Sequence, residues 1–319
     1  MSERTLMSAT VNVRPAEART QVSRGRRKVT GRAWTPWLML APALVMLGTF
    51  VLYPAVHAIW LSLTSTNLIN TAAEKFVGFA NYVAVFTNPV TYTALWHSAI
   101  WTFGNVFFQL VLGMIIALAL NQKIRGRGPI RAIVLVPWAT SSILVSLMWG
   151  WMLDPNLGII NHILHAIGLQ GTPFAWLGTQ ATALPTLMFI DIWQGVPFFA
   201  VMILAALQGV PSELREAAKV DGANAWRMFW RVVFPFILPA VMITTLLRLI
   251  WTANYFDIIL ILTNGGPANA TLTVPLFAYQ TGYQSFNFGQ AAALGVLQAG
   301  FLAILAVFYI RRIRKSEIA

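Results

Sequence analysis

Apolar residues fall into six long runs, roughly 34–63, 94–120, 130–153, 181–207, 237–262 and 289–310, separated by segments that hold nearly all of the charge. Each run is long enough, at 1.5 Å rise per residue, to approach or exceed the ~20 residues needed to cross a hydrocarbon layer. Uncharged apolar runs of this length predict membrane helices. Pro42, Pro54, Pro137, Pro185 and Pro197 lie in or near them. Neighbouring groups can satisfy the carbonyls that proline frees, so the pattern predicts kinks rather than breaks. Trp34, Trp37, Tyr53 and Trp60 stand toward the ends of the first run as interfacial anchors.

The connecting segments carry their own pattern. Residues 1–33 are rich in arginine, lack aromatic residues and show no helical period, which predicts a basic tail. The stretch 64–92 is polar, and in 154–180 Ile159, Ile160, Ile163, Leu164 and Ile167 recur at helical spacing, predicting a short interfacial helix. Between the fourth and fifth runs, the loop 208–238 reads as two short helices around Gly222. Ser212 after Pro211 suits an N-cap, Glu213 and Glu216 suit the positive end of a helix dipole, and Gly222 suits a left-handed terminus. Leu214, Ala217, Ala218 and Asp221 share one face; Glu213, Glu216 and Lys219 share another. The second helix, from about Asn224, sets Trp226, Phe229, Trp230 and Val233 apart from Arg227 and Arg231, as for a segment lying along a membrane interface.

Composition supports the membrane reading: 57% of residues are hydrophobic and 10% charged, against about a quarter charged in soluble domains. A formal charge of +12 would suit nucleic acid if the cations formed one patch, but they cluster between apolar runs. The clusters are the head, the loop Lys123 to Arg131, the loop Arg215 to Arg231, and Arg311, Arg312, Arg314 and Lys315. Short loops rich in Lys and Arg stay on the cytoplasmic side, so these four segments share it, and an even number of spans puts both termini there. The chain has no cysteine, which removes disulfides and thiolate metal sites. The first run is too long for a signal-peptide core and lacks a clear cleavage site, so it reads as a retained helix. The expected organisation is a basic cytoplasmic tail (1–33), a six-helix membrane domain (34–312) and a short cytoplasmic tail (313–319).

Ionisable residues inside spans are costly and point to function or to pairing. Asp191 and Arg248 each lie about eleven residues into a span, near mid-bilayer, where they would pair with each other or meet a substrate. Asp257 follows Trp251, Asn254 and Tyr255 near the outer end of the fifth span. Carboxylate and amide acceptors beside aromatic faces suit a sugar, which offers hydroxyls and weakly apolar ring faces. Trp193, Gln194 and Gln298 are secondary candidates, although an isolated Trp or Gln in a span more often packs helices together. No metal-ligand spacing is present, and His57 and His97 lack a carboxylate relay. There is no phosphate-binding G-x-x-x-x-G-K-[ST] segment, no nucleophile elbow for an intramembrane hydrolase, and few carboxylates for an ion-coupled carrier.

One resemblance joins these features. Glu216-Ala217-Ala218 with Gly222, closed by Ile237-Leu238-Pro239, resembles the EAA loop of permease subunits of binding-protein-dependent ABC importers. Gly78-Phe79-Ala80-Asn81-Tyr82, Trp193-Gln194-Gly195 with Pro197-Phe198, Val220-Asp221-Gly222-Ala223, Asn254-Tyr255-Phe256-Asp257 and Thr263-Asn264-Gly265-Gly266-Pro267 are similar to the maltose-type carbohydrate branch. The resemblance covers most of 34–312. It implies an all-α membrane protein with the type I importer permease fold, in the bacterial cytoplasmic (inner) membrane, that is not itself an enzyme. It further implies that Glu213, Glu216, Ala217, Ala218, Asp221 and Gly222 couple to a separate ATPase, which binds the ATP and magnesium. The partners it implies are a second permease, two ATPase subunits, an external solute-binding protein and a sugar-like substrate. No cofactor or metal would sit on this chain, and whether the sugar is neutral or anionic stays open.

Overall fold

A computed structural model describes residues 35–67, 75–122, 126–169 and 174–318. The basic head, Lys123 and Arg125 lie outside the described residues. The chain divides into two compact units, Met1–Leu52 and Tyr53–Ala319. In the first, helix α1 (Thr35–Leu47) contains Pro42 and runs into a π-turn at Gly48–Leu52. Its apolar side chains are nearly all exposed, Leu38 and Met39 by more than three quarters. A helix apolar around its whole circumference yet unburied belongs in lipid or against another chain.

The second unit is helical. It comprises α2 (Tyr53–Ser62), α3 (Ala80–Thr87), α4 (Pro89–Ala99), α5 (Asn105–Asn121), α6 (Arg127–Ala139), α7 (Ser142–Met152) and α8 (Ile159–Ala166). Then follow α9 (Gln180–Gln208), α10 (Ser212–Val220), α11 (Ala225–Met228), α12 (Phe234–Asn254), α13 (Asp257–Leu262), α14 (Val274–Tyr279) and α15 (Phe288–Ile318). Five helical runs are long and apolar enough to cross a membrane; the bent pair α6 and α7 makes a sixth if counted as one span. Exposed apolar side chains such as Phe107, Ile115, Phe189, Phe301 and Ile304 fit a lipid-facing surface, because lipid imposes no cost on them.

Several expectations change. The third run is not one kinked span: it breaks between Ala139 and Ser142, where Thr140 and Ser141 are extended, and its halves meet at 91°. Pro137 cannot donate to the carbonyl one turn earlier, so the helix is already weakened when it reaches the break. Pro185, Pro197 and Pro239, by contrast, sit inside continuous helices. The fifth run starts earlier than expected: α11, a π-turn at Phe229–Val233 and α12 form one helical run, so the second loop helix is the base of a span. It too breaks, at Tyr255 and Phe256. The second run begins at Pro89, with the Asn88 side chain accepting from Val90 N–H as N-cap, and α15 continues past the basic cluster to Ile318.

Outside the spans, short polar ties hold the loops. Asn81 Nδ2 donates to the carbonyls of Ser62 and Thr64, and the Tyr82 hydroxyl meets Ser62 Oγ at 2.8 Å, so the Gly78 to Tyr82 sequence pins α3 to the end of α2. Helix α8 is the short helix expected after the third run. It is anchored by Asn161, whose amide donates to the carbonyls of Pro155 and Phe174 and whose oxygen accepts from Trp176 Nε1. Asp154 caps the turn before α8. Backbone N–H groups of Leu157 and Asn156 hold its carboxyl below the usual range.

Two apolar clusters form the core. One gathers Trp101, Val145, Leu187, Ile190, Ile258 and Leu276; the other gathers Val106, Phe199, Ile203, Ile237, Val241 and Leu249. On α9 the fully buried residues of the first cluster end at Ile190 and those of the second begin at Phe199, and Asp191 and Gln194 between them carry the polar chemistry.

Candidate functional site

Close packing of α5 on α9 sets up that polar layer. A Cβ on Gly113 would run into Phe199, and one on Gly195 would collide with the Arg248 guanidinium and the Gln109 amide. Small residues let membrane helices approach closely. Into the space left by Gly195 fit two long polar side chains, Gln109 of α5 and Arg248 of α12, which meet Asp191 of α9. Gln109 Nε2 donates to the Asp191 carbonyl and to Asp191 Oδ2, each at 2.9 Å, and Gln109 Oε1 accepts from Arg248 Nε at 2.7 Å. Arg248 Nη2 lies 3.7 Å from Asp191 Oδ1. Asp191 is fully buried. A carboxylate there is tolerable only with a counter-charge and hydrogen bonds, both of which α5 and α12 supply. Asp191 and Arg248 were both legible as mid-span charges. Gln109 was missed, although it is the lone amide within the apolar run from Val106 to Leu120.

The same layer borders a cavity of about 230 Å³, lined by Trp138, Ser142, Asp191, Gln194, Arg248, Trp251, Thr252 and Tyr255. Its walls include the ends of both broken helices. Gln194 Nε2 donates to the free carbonyl of Thr140 at the α6–α7 break (3.1 Å), and Gln194 Oε1 accepts from the Tyr255 hydroxyl at the α12–α13 break (3.2 Å). Ser142 Oγ donates to Asp257 Oδ2 at 3.0 Å, tying α7 to α13. Trp101 Nε1 donates to the Thr252 carbonyl, which the end of α12 leaves accessible. Irregular backbone at membrane depth persists only where protein groups or a cavity satisfy it, and discontinuous helices meeting at one cavity are a recurrent way to build a solute site in a transporter. Trp138 and Trp251 both pack on Phe198, at 5.9 and 5.2 Å between ring centroids, giving the cavity an aromatic side.

Of the residues picked out in the sequence, Asp191, Gln194, Arg248, Trp251 and Tyr255 meet at this cavity. Asp257 stands behind it, held through Ser142. Trp193 lies elsewhere, packed edge-on against Trp149 at 5.6 Å in the apolar cluster. Consecutive helical residues do not share a face, whereas Asp191 and Gln194, three apart, do. Asn254 and Gln298 also fall outside it. Gln298 Nε2 donates to the Ala253 carbonyl and to Asn254 Oδ1, fastening α15 to α12. Gln298 borders a different, apolar cavity of about 400 Å³ with Phe103, Leu249, Leu294 and Phe301. Trp138, Ser142 and Thr252 line the polar cavity without having stood out in the sequence. Among the described residues no group of His, Cys, Asp and Glu could hold a metal ion.

The loop helix α10 differs from expectation at its start. Pro211 occupies the N-cap position with extended backbone, Ser212 is already helical, and no side chain caps the end. The C-terminus follows the sequence reading: Gly222 has φ +74°, its N–H donates to the Lys219 carbonyl, and Ala223 N–H donates to the Ala218 carbonyl. This is the Schellman arrangement of a glycine-terminated helix. Glu213, Glu216, Ala217, Asp221 and Gly222 are exposed, while Ala218 is buried. Ala218 is therefore no part of the exposed face; its small side chain lets α10 settle on the Phe229–Val233 turn. Trp226, Trp230 and Phe234 stack beside that turn, with Trp226 mostly exposed.

A family model for the binding-protein-dependent transport system inner membrane component matches residues 109–315, which include the polar layer, the cavity and α10. The trehalose/maltose transport system permease protein MalF of Thermococcus litoralis is 32% identical over 275 residues, 86% of this chain and 92% of that protein. The sulfoquinovosyl glycerol transport system permease protein SmoG of Agrobacterium fabrum is 30% identical over 294 residues, 89% and 95% of the two chains. Among solved structures, a bacterial ABC transporter that imports the acidic polysaccharide alginate matches with a TM-score of 0.77 at 23% identity. It covers 89% of this chain and 96% of that one, and at that identity the likeness carries the fold alone.

Proposed function

Given that the chain belongs to the family of binding-protein-dependent transport system inner membrane components, we propose that it is the membrane-spanning subunit of an ABC importer that moves a sugar or sugar-like solute. The observation that carries this reading is the cavity of Asp191, Gln194, Arg248, Trp251 and Tyr255 at two facing helix breaks. It combines acceptors with aromatic faces at a scale suited to a monosaccharide ring, and relatives named for trehalose, maltose and sulfoquinovosyl glycerol support a sugar. Helix α10 docks on a separate ATPase subunit through Glu213, Glu216 and Ala217. ATP and magnesium are held there, and closure of the ATPases rocks the spans between outward- and inward-facing arrangements. A second permease completes the path, and an external binding protein delivers the solute.

The test is transport into proteoliposomes holding this chain, its sister permease and the ATPases, with binding protein added. Glu216→Lys is expected to assemble normally and to cut ATP-dependent uptake by roughly 30-fold or more, the effect of losing an interface hot spot. Undiminished uptake in that variant, or uptake by this chain without ATPases, would overturn the reading.

A further inference from the structure

We propose that the polar cavity selects an uncharged polyhydroxylated solute, because Arg248, the only cation on its wall among the described residues, is neutralised within the protein by the Asp191–Gln109–Arg248 network. This deepens the sugar reading above and rests on it.

The charges on the cavity wall are Arg248 and Asp191, which sum to zero. The Arg248 guanidinium is held from two sides: its Nε donates to Gln109 Oε1 at 2.7 Å and its Nη2 lies 3.7 Å from Asp191 Oδ1. The amide of Gln109 fixes the carboxylate in turn, so Gln109 bridges the pair, accepting from Arg248 and donating to Asp191. One further charge is attached to the wall, the Asp257 carboxylate bound by Ser142, and it is negative. An anionic sugar entering this space would meet a neutral pair and a nearby carboxylate. It would lose its hydration with no free cation among the described lining residues to replace it.

The hydrogen-bonding groups point the same way. Ser142 Oγ donates to Asp257 Oδ2 and Gln194 Nε2 donates to the Thr140 carbonyl. Gln194 Oε1 and the Ser142 and Tyr255 hydroxyl oxygens belong to residues that line the cavity and can accept from a ligand. Such oxygens suit a ligand that presents O–H groups, and Trp138 and Trp251 offer the apolar faces that a sugar ring covers. Gln109 does not itself line the cavity; its role is positioning, tying back Asp191 Oδ2 so that Oδ1 faces Arg248.

Saturation-transfer difference NMR on the assembled permease–ATPase complex in nanodiscs, without binding protein, reads direct contact with weak ligands. The probes are neutral disaccharides (trehalose, maltose, diacetylchitobiose) and uronate disaccharides of similar size. At least one neutral probe is expected to give a signal that Trp251→Ala abolishes, while the uronates give none. Asp191→Asn, which frees the Arg248 charge, is expected to raise uronate affinity about tenfold or more. Uronate signals in the wild type equal to the neutral ones and lost in Trp251→Ala would overturn the charge selection and leave the sugar site standing. No signal from either set, or signals indifferent to Trp251→Ala, would overturn the site itself. The wild-type comparison decides the point even if Asp191→Asn fails to assemble.

Discussion

At the centre of α5, α9 and α12, each charged group is answered by a side chain far away in sequence: Gln109 reaches Asp191 across 82 positions and Arg248 across 139. Helix α10, separated by three residues from the end of buried α9, is nearly the reverse. Its acids and Ala217 are exposed, only Ala218 is buried, and the ties that hold it are backbone bonds at Gly222 and a single side-chain bond from Arg215 to the Val210 carbonyl. The polar layer finds its counter-charge and its bridging amide within one chain, since burial obliges it to. The loop helix is shaped and exposed but unfinished, which is what a docking element should be. The two regions therefore answer to different perturbations: the first fails by losing its internal partner, the second by losing its outward shape.

The largest expected effect follows from that internal charge pairing. Arg248→Met leaves Asp191 buried without a counter-charge, and about 3–5 kcal/mol of stability should be lost. Pairing it with Asp191→Leu removes both charges, and the double variant should recover most of the loss, because apolar replacement of a buried pair is close to neutral. Thermal denaturation of the detergent-solubilised complex measures both. Equal destabilisation in the single and double variants would show that packing, not charge pairing, holds the layer. Asp191→Leu should at the same time abolish sugar contact at the cavity, separating stability from function.

How far these regions were legible in the sequence follows from the same contrast. The loop was readable because its information is local: Glu213, Glu216 and Gly222 lie within one short helix, and the glycine terminus appeared where expected. The missed N-cap at Ser212 was an error of a single position, set by the backbone of Pro211. In the spans, charge in an apolar run marked Asp191 and Arg248, but nothing local told Gln109 from an amide that merely joins helices. Gln298, its counterpart on α15, does just that. The break at Thr140 was hidden because apolar runs on both sides of it look continuous; the polar Thr140, Ser141 and Ser142 after Pro137 were the available sign. What settles these cases is contact between distant helices, which periodicity along one helix does not encode.

A smaller effect sharpens the account of the polar layer. Gly195→Ala places a methyl group against the Arg248 guanidinium and the Gln109 amide, and overpacking of this kind costs about 1–3 kcal/mol. If the collision is the cause, shortening one neighbour with Gln109→Ala should make the glycine substitution much milder. A double-mutant cycle on melting temperature should then show strong coupling between the two positions. Additive losses would mean that Gly195 matters for the α5–α9 approach alone.

The smallest effect belongs to the loop and probes its shape without touching its exposed side chains. A Cβ on Gly222 would meet nothing within 4 Å, so Gly222→Ala carries no steric clash, only the strain of φ +74° in a residue with a side chain. That strain is about 1 kcal/mol, and it falls on the two hydrogen bonds that close α10 rather than on the core. The melting temperature of the complex should therefore stay nearly unchanged, while ATP-dependent uptake falls by roughly fivefold, the population change that 1 kcal/mol produces. Gly222→Asn, which tolerates the left-handed region better, should lose less. If alanine and asparagine behave alike, or if the melting temperature falls with uptake, then α10 is not an independently shaped docking element, and the contrast between a self-satisfied layer and a partner-dependent loop fails at its weaker end.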